Sequence, residues 1–355
     1  MSRLKEIVSW NLWLMPWSAP EVFQRPHDQA LKLSQICGTS DSKNLRVVCV
    51  QEAWSFRTGV MIPLLHILSS LPRIPQRFYR KHAFGLLDAL GFAFMVAIVI
   101  QGTAIAWILS LFGMSGKMFI WDPRNILYKQ LKQIGYQHRV YANTFDAWWR
   151  MFDSGCAIYS TKAPSRVGFV PYVNTGSFNE EALATKGIQY AYFPEERVLI
   201  MNTHAKCDCH VMGSSTGRSD VASEIIGMVK QIMNEFDDKM IDEAYICGDF
   251  NMTRTSRSIS RLSKAFPGSY EISKTAGSCS TYWRDREEEA AIDMVWCLKS
   301  TAAAASVRGN WTSDYVRERR RRGSLSPPED CGVLWGYLWM RSQDSDHLLL
   351  RCSTK

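Results

Sequence analysis

Residues 243–251 read EAYICGDFN, an apolar run of strand-forming residues that ends in an aspartate and an asparagine. The run is apolar at nearly every position, which is typical of a strand covered on both faces. Residues 197–204, RVLIMNTH, have the same form and end in a histidine. We therefore predict a layered structure whose buried strands carry polar side chains at one end.

Similar segments continue along the chain. Further strands are predicted at 5–14, 45–52, 154–161, 186–193, 291–298 and 346–352. Apolar residues spaced three to four apart predict a helix over 219–236. DPRN at 122–125 predicts a second helix with Asp122 as its cap. Proline and glycine clusters near 164–176 and 323–332 predict loops.

Composition allows a large core and shows one concentrated charge. The chain has 355 residues, 46% of them apolar, and a formal net charge of +8. The run RERRRR at 317–322 contributes +4, since it has five arginines and one glutamate. We predict a basic loop at about 317–330 that attracts an anionic partner, either phospholipid or nucleic acid.

The ten cysteines are scattered. Cys49, Cys156, Cys247 and Cys297 lie in strand-like runs, which predicts buried reduced thiols and a reducing compartment. CDCH at 207–210 matches no common zinc spacing, so loop residues are favoured there over metal ligands.

Polar side chains stand at or near the ends of most predicted strands. They are Asn11, Glu52, His204, Asp249, Asn251, Asp293, Asp346 and His347. Phosphodiester hydrolysis uses such a set. A hard divalent cation takes oxygen ligands, a histidine beside a carboxylate can activate water, and hydrogen-bond donors stabilise charge on the phosphate.

Seven short segments together resemble the successive motifs of the endonuclease/exonuclease/phosphatase (deoxyribonuclease I-like) superfamily, in the same order and over almost the whole chain. They are SWNLWLMP (9–16), QEAW (51–54), SGCAIYS (154–160), NTHA (202–205), GDFNM (248–252), IDMVW (292–296) and SDH (345–347). Four features are most similar to the neutral sphingomyelinases. They are NLW near the start, the strand that begins with SG, the pair Lys186-Gly187 before a strand, and GDxNM.

The resemblance implies a four-layered α/β/β/α sandwich, with two packed mixed β-sheets flanked by helices, as one catalytic domain over 1–355. It implies a magnesium-dependent phosphodiesterase of the phospholipase C type, with Mn²⁺ as an alternative ion. Such an enzyme hydrolyses sphingomyelin or a related sphingolipid to ceramide and a phosphorylated headgroup.

The resemblance also assigns roles to the cation and water side of the site. Glu52 would bind magnesium, with Asn11 nearby. His347, paired with Asp346, would be the base that activates water, and Asp249 would orient this nucleophile.

The remaining roles concern the phosphate. Asn251 and His204 would contact the phosphate, and Asp293 would support His204. Lys186 is assigned to substrate binding.

Residues 89–114 carry no charged side chain, although family members are shorter in this region. A single membrane crossing would separate Glu52 from His204, so the segment crosses an even number of times or not at all. The longer apolar stretch from Ala83 to Gly113 breaks at Gln101 to Thr103, which divides it into two arms of about 15 residues. Each arm would be about 23 Å long as a helix, short of the roughly 30 Å hydrocarbon core. We predict a re-entrant membrane-associating insertion at about 83–116, with packing on the protein's own surface as the alternative.

A bilayer substrate gives a reason for this apolar insertion, whereas nucleic acid gives none. We therefore predict a membrane lipid substrate, an anionic lipid surface bound through the arginine run, and no nucleic-acid partner. The alternative is a nuclease or other soluble phosphoesterase of the same superfamily. A catalytically dead scaffold is disfavoured, because no expected catalytic residue is replaced. A sequon at Asn251 inside the GDFN motif favours a membrane-associated enzyme that faces the cytosol, because glycosylation there would block the site.

Overall fold

The computed structural model describes two β-sheets and the helices that cover them. The described residues are 4–12, 25–39, 43–55, 122–141, 153–173, 184–206, 218–237, 239–252, 254, 256–273, 292–300, 311–316 and 349–354. The elements in chain order are β1 (Leu4–Asn11), α1 (Arg25–Cys37), β2 (Leu45–Gln51), α2 (Arg124–Gln133), β3 (His138–Val140), β4 (Ala157–Ser160), β5 (Arg166–Pro171), β6 (Gly187–Phe193), β7 (Val198–His204), α3 (Arg218–Asn234), β8 (Glu243–Asp249), α4 (Arg257–Ala265), β9 (Tyr270–Glu271), β10 (Asp293–Ser300), β11 (Trp311–Val316) and β12 (Leu349–Thr354).

The strands form two six-stranded sheets. The first has the order β11-β12-β1-β2-β4-β3, and the second has the order β5-β6-β7-β8-β10-β9. Both sheets are mixed, because β1 pairs with β2 and β7 pairs with β8 in parallel, while the other neighbours are antiparallel. Each parallel pair therefore places the carboxyl ends of two neighbouring strands at the same edge of its sheet.

The inner faces of the two sheets pack on each other. Val47 and Cys49 from the first sheet share one buried cluster with Ile200, Cys247 and Val295 from the second. Since the outer faces are also covered, strands such as β2 and β8 are buried on both sides, which explains their uninterrupted apolar runs.

Helices cover both outer faces. Leu33 of α1 and Leu127 of α2 pack with Val48 on the first sheet. Ile225 of α3 and Ile259 of α4 belong to the cluster on the second sheet. The resulting order of helices, sheet, sheet and helices confirms the predicted four-layered sandwich.

Two local predictions are wrong. The region near 164–176 contains strand β5 rather than only a loop. β5 is an edge strand that pairs with β6 alone, and an edge tolerates Pro171 because no neighbour needs its missing N–H. In α2, Pro123 rather than Asp122 occupies the N-cap position, although Asp122 Oδ1 accepts the N–H of Arg124 at 3.1 Å.

The described cysteines, including Cys49, Cys156, Cys247 and Cys297, are buried free thiols, as predicted.

Within the described ranges, no helix combines the length and the apolar character that a bilayer crossing needs. Three predicted features lie outside the described residues. They are the insertion at 83–116, the basic loop at 317–330 and the CDCH segment at 207–210.

Candidate active site

The four strands of the two parallel pairs end at one rim of the sandwich. Asn11 ends β1, and Glu52 directly follows β2, whose last residue Gln51 is the register partner of Asn11. His204 ends β7 opposite Asp249, which ends β8. Because the two sheets pack face to face, these ends supply side chains to one shared site.

The side chains of this site are buried and close together. Asn11 Nδ2 donates to Glu52 Oε1 at 2.9 Å and to Asp249 Oδ2 at 3.0 Å. His204 Nε2 lies 3.6 Å from Glu52 Oε1 and 3.8 Å from Asp249 Oδ2. The exposed fractions are 0% for Asn11, 9% for Glu52, 3% for His204 and 1% for Asp249. One amide therefore joins two buried carboxylates from different sheets.

The donor set fits a divalent cation. One candidate ligand atom from each of Glu52, His204 and Asp249 lies within 4.8 Å of the others. Asp293, the register partner of Asp249 on β10, adds a third buried carboxyl group at this rim. Like charges on directly opposed strand residues repel, and a bound cation offsets that repulsion. Carboxylate oxygens suit Mg²⁺ and Mn²⁺, and the imidazole suits Mn²⁺ better than Mg²⁺.

Two residues of the site have left-handed backbone conformations. The φ angle is 53° at Glu52 and 49° at Asn251. Residues other than glycine adopt this region at a cost, more so for glutamate than for asparagine, and such strain is concentrated at functional sites. Hydrogen bonds on both sides hold Glu52 in place, from Leu12 N to Gln51 O and from Ala53 N to Gly155 O, each 2.9 Å.

Asn251 closes the turn after β8. Its backbone N–H donates to Asp249 Oδ1 at 2.7 Å, and its Nδ2 donates to Ala205 O at 2.9 Å. Both oxygens of Asp249 thus accept hydrogen bonds, one from Asn251 and one from Asn11. The turn fixes the orientation of this carboxylate, and Nδ2 of Asn251 keeps a second N–H.

Lys186, the residue before β6, also reaches the site. Its Nζ lies 3.1 Å from His204 Nε2 and 3.3 Å from Ala205 O. An ammonium group only donates, so a protonated Lys186 requires Nε2 of His204 to act as the acceptor in this contact. The structure therefore places Lys186 beside His204, and its role in substrate binding stays a prediction.

Asp293 lies near the site but not directly beside His204 in the sheet. Since β8 lies between β7 and β10, Asp249 stands between the two residues. The support of His204 by Asp293 therefore stays a prediction.

The predicted base, His347, and its partner Asp346 lie outside the described residues. β12 begins two residues after His347, at Leu349, and pairs with β1 so that Leu350 is opposite Ser9. The described strand thus starts near the end of β1 that carries Asn11, while the role of His347 stays a prediction.

Trp54 is a site residue that the sequence did not single out. Its ring centroid lies 5.6 Å from that of His204, with a 51° angle between the planes. A Cβ at Gly155 would come within 2.8 Å of the Trp54 ring, and Gly155 has φ 63°. Gly155 is therefore needed to make room for the tryptophan, but no sequence signal links the QEAW and SGCAIYS segments that contain these residues.

A second unpredicted group lies one layer below the rim. Asn202 of β7 donates to the carbonyl oxygens of Val50 at 2.9 Å and Ala157 at 3.1 Å, both in the first sheet. Its Oδ1 accepts from Gln51 Nε2 at 2.7 Å. These buried hydrogen bonds join the two sheets directly beneath Glu52 and His204.

Comparison with known proteins gives matches in structure only. The sequence matches no protein-family model and no curated protein. The structure is similar to SmcL, with 12% identity, a TM-score of 0.55 and 99% of each chain covered. It is similar to sphingomyelinase C from Streptomyces griseocarneus, with 13% identity, a TM-score of 0.52 and 99% of each chain covered.

A third similar structure is that of a beta toxin mutant from Staphylococcus aureus with bound magnesium ions, at 12% identity, a TM-score of 0.55 and 99% coverage of each chain. These likenesses confirm the predicted fold, a sandwich of two mixed sheets between layers of helices. At this identity they establish the fold alone.

Proposed function

We propose that this protein is a divalent-cation-dependent phosphoric diester hydrolase whose site is the rim described above. The observation that carries the proposal is the pair of buried carboxylates, Glu52 and Asp249, which come from opposite sheets, are bridged by Asn11 and are flanked by His204. A bound cation would supply positive charge against the charge that develops on the phosphate. The magnesium ions bound in the similar beta toxin structure support a requirement for a divalent cation in this protein.

The residues of the chain then have distinct tasks. Glu52 and Asp249 would hold the cation, with His204 at its side. Asn251 would donate its second amide N–H to the phosphate, and Lys186 would place a positive charge near the same region. His347 would remove the proton from the attacking water.

For the substrate we propose a membrane sphingolipid, cleaved in the manner of phospholipase C to ceramide and a phosphorylated headgroup. The apolar stretch at 89–114 supports this class, because a water-soluble substrate gives no reason for such a segment. The similarity of the fold to sphingomyelinase C from Streptomyces griseocarneus also supports this class.

The attachment points of the long segment 56–121 also support a substrate at a surface. Ser55, its preceding residue, donates to Asp153, and Asp153 pairs with Arg124, which in turn binds Asp122 at the other end. The residues that flank the segment, Ser55 and Asp122, are therefore held close together, and Ser55 is three residues from Glu52. A membrane-associating segment with this base would hold the rim near lipid headgroups.

The remaining parts of the proposal concern partners and compartment. The arginine run at 317–322 would bind anionic headgroups. The protein would be membrane-associated with its site facing the cytosol, where buried thiols such as Cys247 stay reduced. A nuclease of the same fold is the second candidate, and it would act on DNA or RNA without need of the apolar segment.

A substrate panel tests the proposal. Purified protein with Mg²⁺ or Mn²⁺ is incubated with vesicles of sphingomyelin, phosphatidylcholine or inositol-phosphate ceramide, and separately with single- and double-stranded DNA. We expect metal-dependent release of a phosphorylated headgroup from a sphingolipid and intact DNA. Cleaved DNA with intact lipids would favour the nuclease, and no cleavage of any phosphodiester would contradict the proposed activity.

A further inference from the structure

A buried ion pair lies beside the site without contributing a side chain to it. Arg124 Nη1 lies 2.6 Å from Asp153 Oδ2, and both side chains are fully buried. Arg124 also pairs with Asp122 through Nε at 2.7 Å. Burial alone would lower the pKa of the Arg124 guanidinium, but the carboxylates of Asp153 and Asp122 outweigh it and raise that pKa above its ordinary value. Burying such a pair is costly, and its net contribution to stability is small.

Asp153 uses its carboxylate to hold two stretches of backbone. Oδ1 accepts from Ser55 N at 3.1 Å and from Gly155 N at 3.0 Å, and Oδ2 accepts from Ser55 Oγ at 2.9 Å. Gly155 O in turn accepts from Ala53 N at 2.9 Å. Residues 53–55 are thus fixed against residues 153–155.

These bonds begin directly after Glu52. The left-handed φ of 53° at Glu52 needs support from its surroundings, and Ala53 and Ser55 supply it on the carboxyl side. The backbone carbonyl of Asp153 also accepts from Thr185 N at 3.2 Å, which precedes Lys186. Asp153 therefore holds backbone next to site residues in both sheets.

We propose that Asp153, with its charge balanced by Arg124, is a positioning residue that holds the Glu52 carboxylate at the cation site. The inference rests on the proposed function only in taking Glu52 as a metal ligand. The hydrogen bonds and the ion pair that carry this inference all join residues outside the segment 56–121.

Magnesium affinity, measured by titration calorimetry on metal-free protein, tests this role. Asp153→Asn keeps the shape of the side chain but turns an N–H toward Arg124 and removes the charge. We expect the dissociation constant for Mg²⁺ to rise by about tenfold to a hundredfold, the usual effect of losing a residue that orients a metal ligand. Glu52→Gln is measured alongside to locate the ion.

Tyr159→Phe is the matched control. It removes a buried hydrogen bond, from Tyr159 Oη to Arg124 O at 3.1 Å, in the same cluster without touching residues 53–55. We expect its Mg²⁺ affinity to stay within about twofold of wild type, because a merely structural loss leaves Glu52 in place. Equal weakening in Tyr159→Phe and Asp153→Asn would overturn the proposal.

Ser55→Ala decides the question if Asp153→Asn does not fold. It removes only the hydroxyl that donates to Asp153 Oδ2, and we expect Mg²⁺ binding about twofold to tenfold weaker, the scale of one buried hydrogen bond. If Asp153→Asn folds and binds Mg²⁺ with wild-type affinity, the positioning role is contradicted but the cation site is not. If Asp153→Asn does not fold, wild-type Mg²⁺ affinity in Ser55→Ala has the same meaning. Wild-type protein that binds no Mg²⁺, or Glu52→Gln protein that binds it normally, contradicts the proposed cation site as well.

Discussion

At the scale of single residues, the site depends on donors and acceptors whose partners come from both sheets. Asn11 has one amide nitrogen and uses its two hydrogens on Glu52 and Asp249. His204 lies between these carboxylates and Lys186. An imidazole in this position is suited to binding the cation or the phosphate. The resemblance assigns the activation of water to a different residue, His347.

His347→Ala should therefore lower turnover by about a hundredfold or more, the scale of losing a general base, with little change in Mg²⁺ affinity. The rate is measured at saturating substrate and metal. His27→Ala, which changes an exposed histidine on α1, is the control and should act like wild type. Near-normal turnover in His347→Ala would remove this histidine from the mechanism.

Buried thiols allow a prediction of pH dependence. Burial raises the pKa of Cys37 from 9.0 to about 12. Between these values the unfolded chain loses the proton and the folded chain keeps it, so stability should fall as the pH rises from 9.0 toward about 12. At pH 8 the folded thiol is protonated, and mass spectrometry should find Cys37 protected from iodoacetamide until the protein is unfolded. Rapid labelling in the folded protein would contradict this burial.

At the scale of elements, the register between β7 and β8 sets His204 opposite Asp249, and Gly248 makes that register possible. A Cβ there would lie 1.9 Å from Thr203 O, and the φ of 134° suits glycine. Gly248→Ala should destabilise the protein by more than about 2 kcal/mol in urea unfolding. Gly227→Ala is the control, because it lies inside helix α3 with open space around its Cβ and should stabilise by about 0.5–1 kcal/mol. Equal effects of the two substitutions would contradict the close packing at Gly248.

The elements also show which features a sequence can predict. Strands such as β7 and β8 were evident because burial on both faces gives unbroken apolar runs that end in polar residues. β5 was missed because an edge strand is half exposed and admits Gly168 and Pro171, which resemble loop signals. The contact of Trp54 with Gly155 and the pairing of Arg124 with Asp153 join distant segments, and no local pattern reports such contacts.

At the scale of the whole molecule, residues outside segment 56–121 join its two flanking residues, Ser55 and Asp122, to each other through Asp153 and Arg124. Deleting 83–116 and joining the ends with a Gly/Ser linker should leave a folded protein with wild-type Mg²⁺ affinity, because Ser55, Asp153 and Arg124 remain. It should cleave detergent-dispersed substrate but no longer sediment with vesicles. Replacing Arg319 to Arg322 by glutamine, with the insertion intact, is the control and should weaken only binding to anionic vesicles at low salt. Unchanged vesicle binding by the deletion variant would place the anchor elsewhere, and failure to fold would favour an insertion packed on the protein.

The central claim is that a cation held at Glu52 makes this rim a phosphodiesterase. The most direct measurement is the rate of phosphorylated headgroup release from sphingomyelin micelles as Mg²⁺ is titrated, for wild type and for Glu52→Gln. We predict a saturable metal requirement in wild type, and in Glu52→Gln a rate lower by about a hundredfold or more at the same Mg²⁺ concentration. Metal-independent hydrolysis by wild type, or a Glu52→Gln protein with wild-type rate and metal response, would contradict the claim.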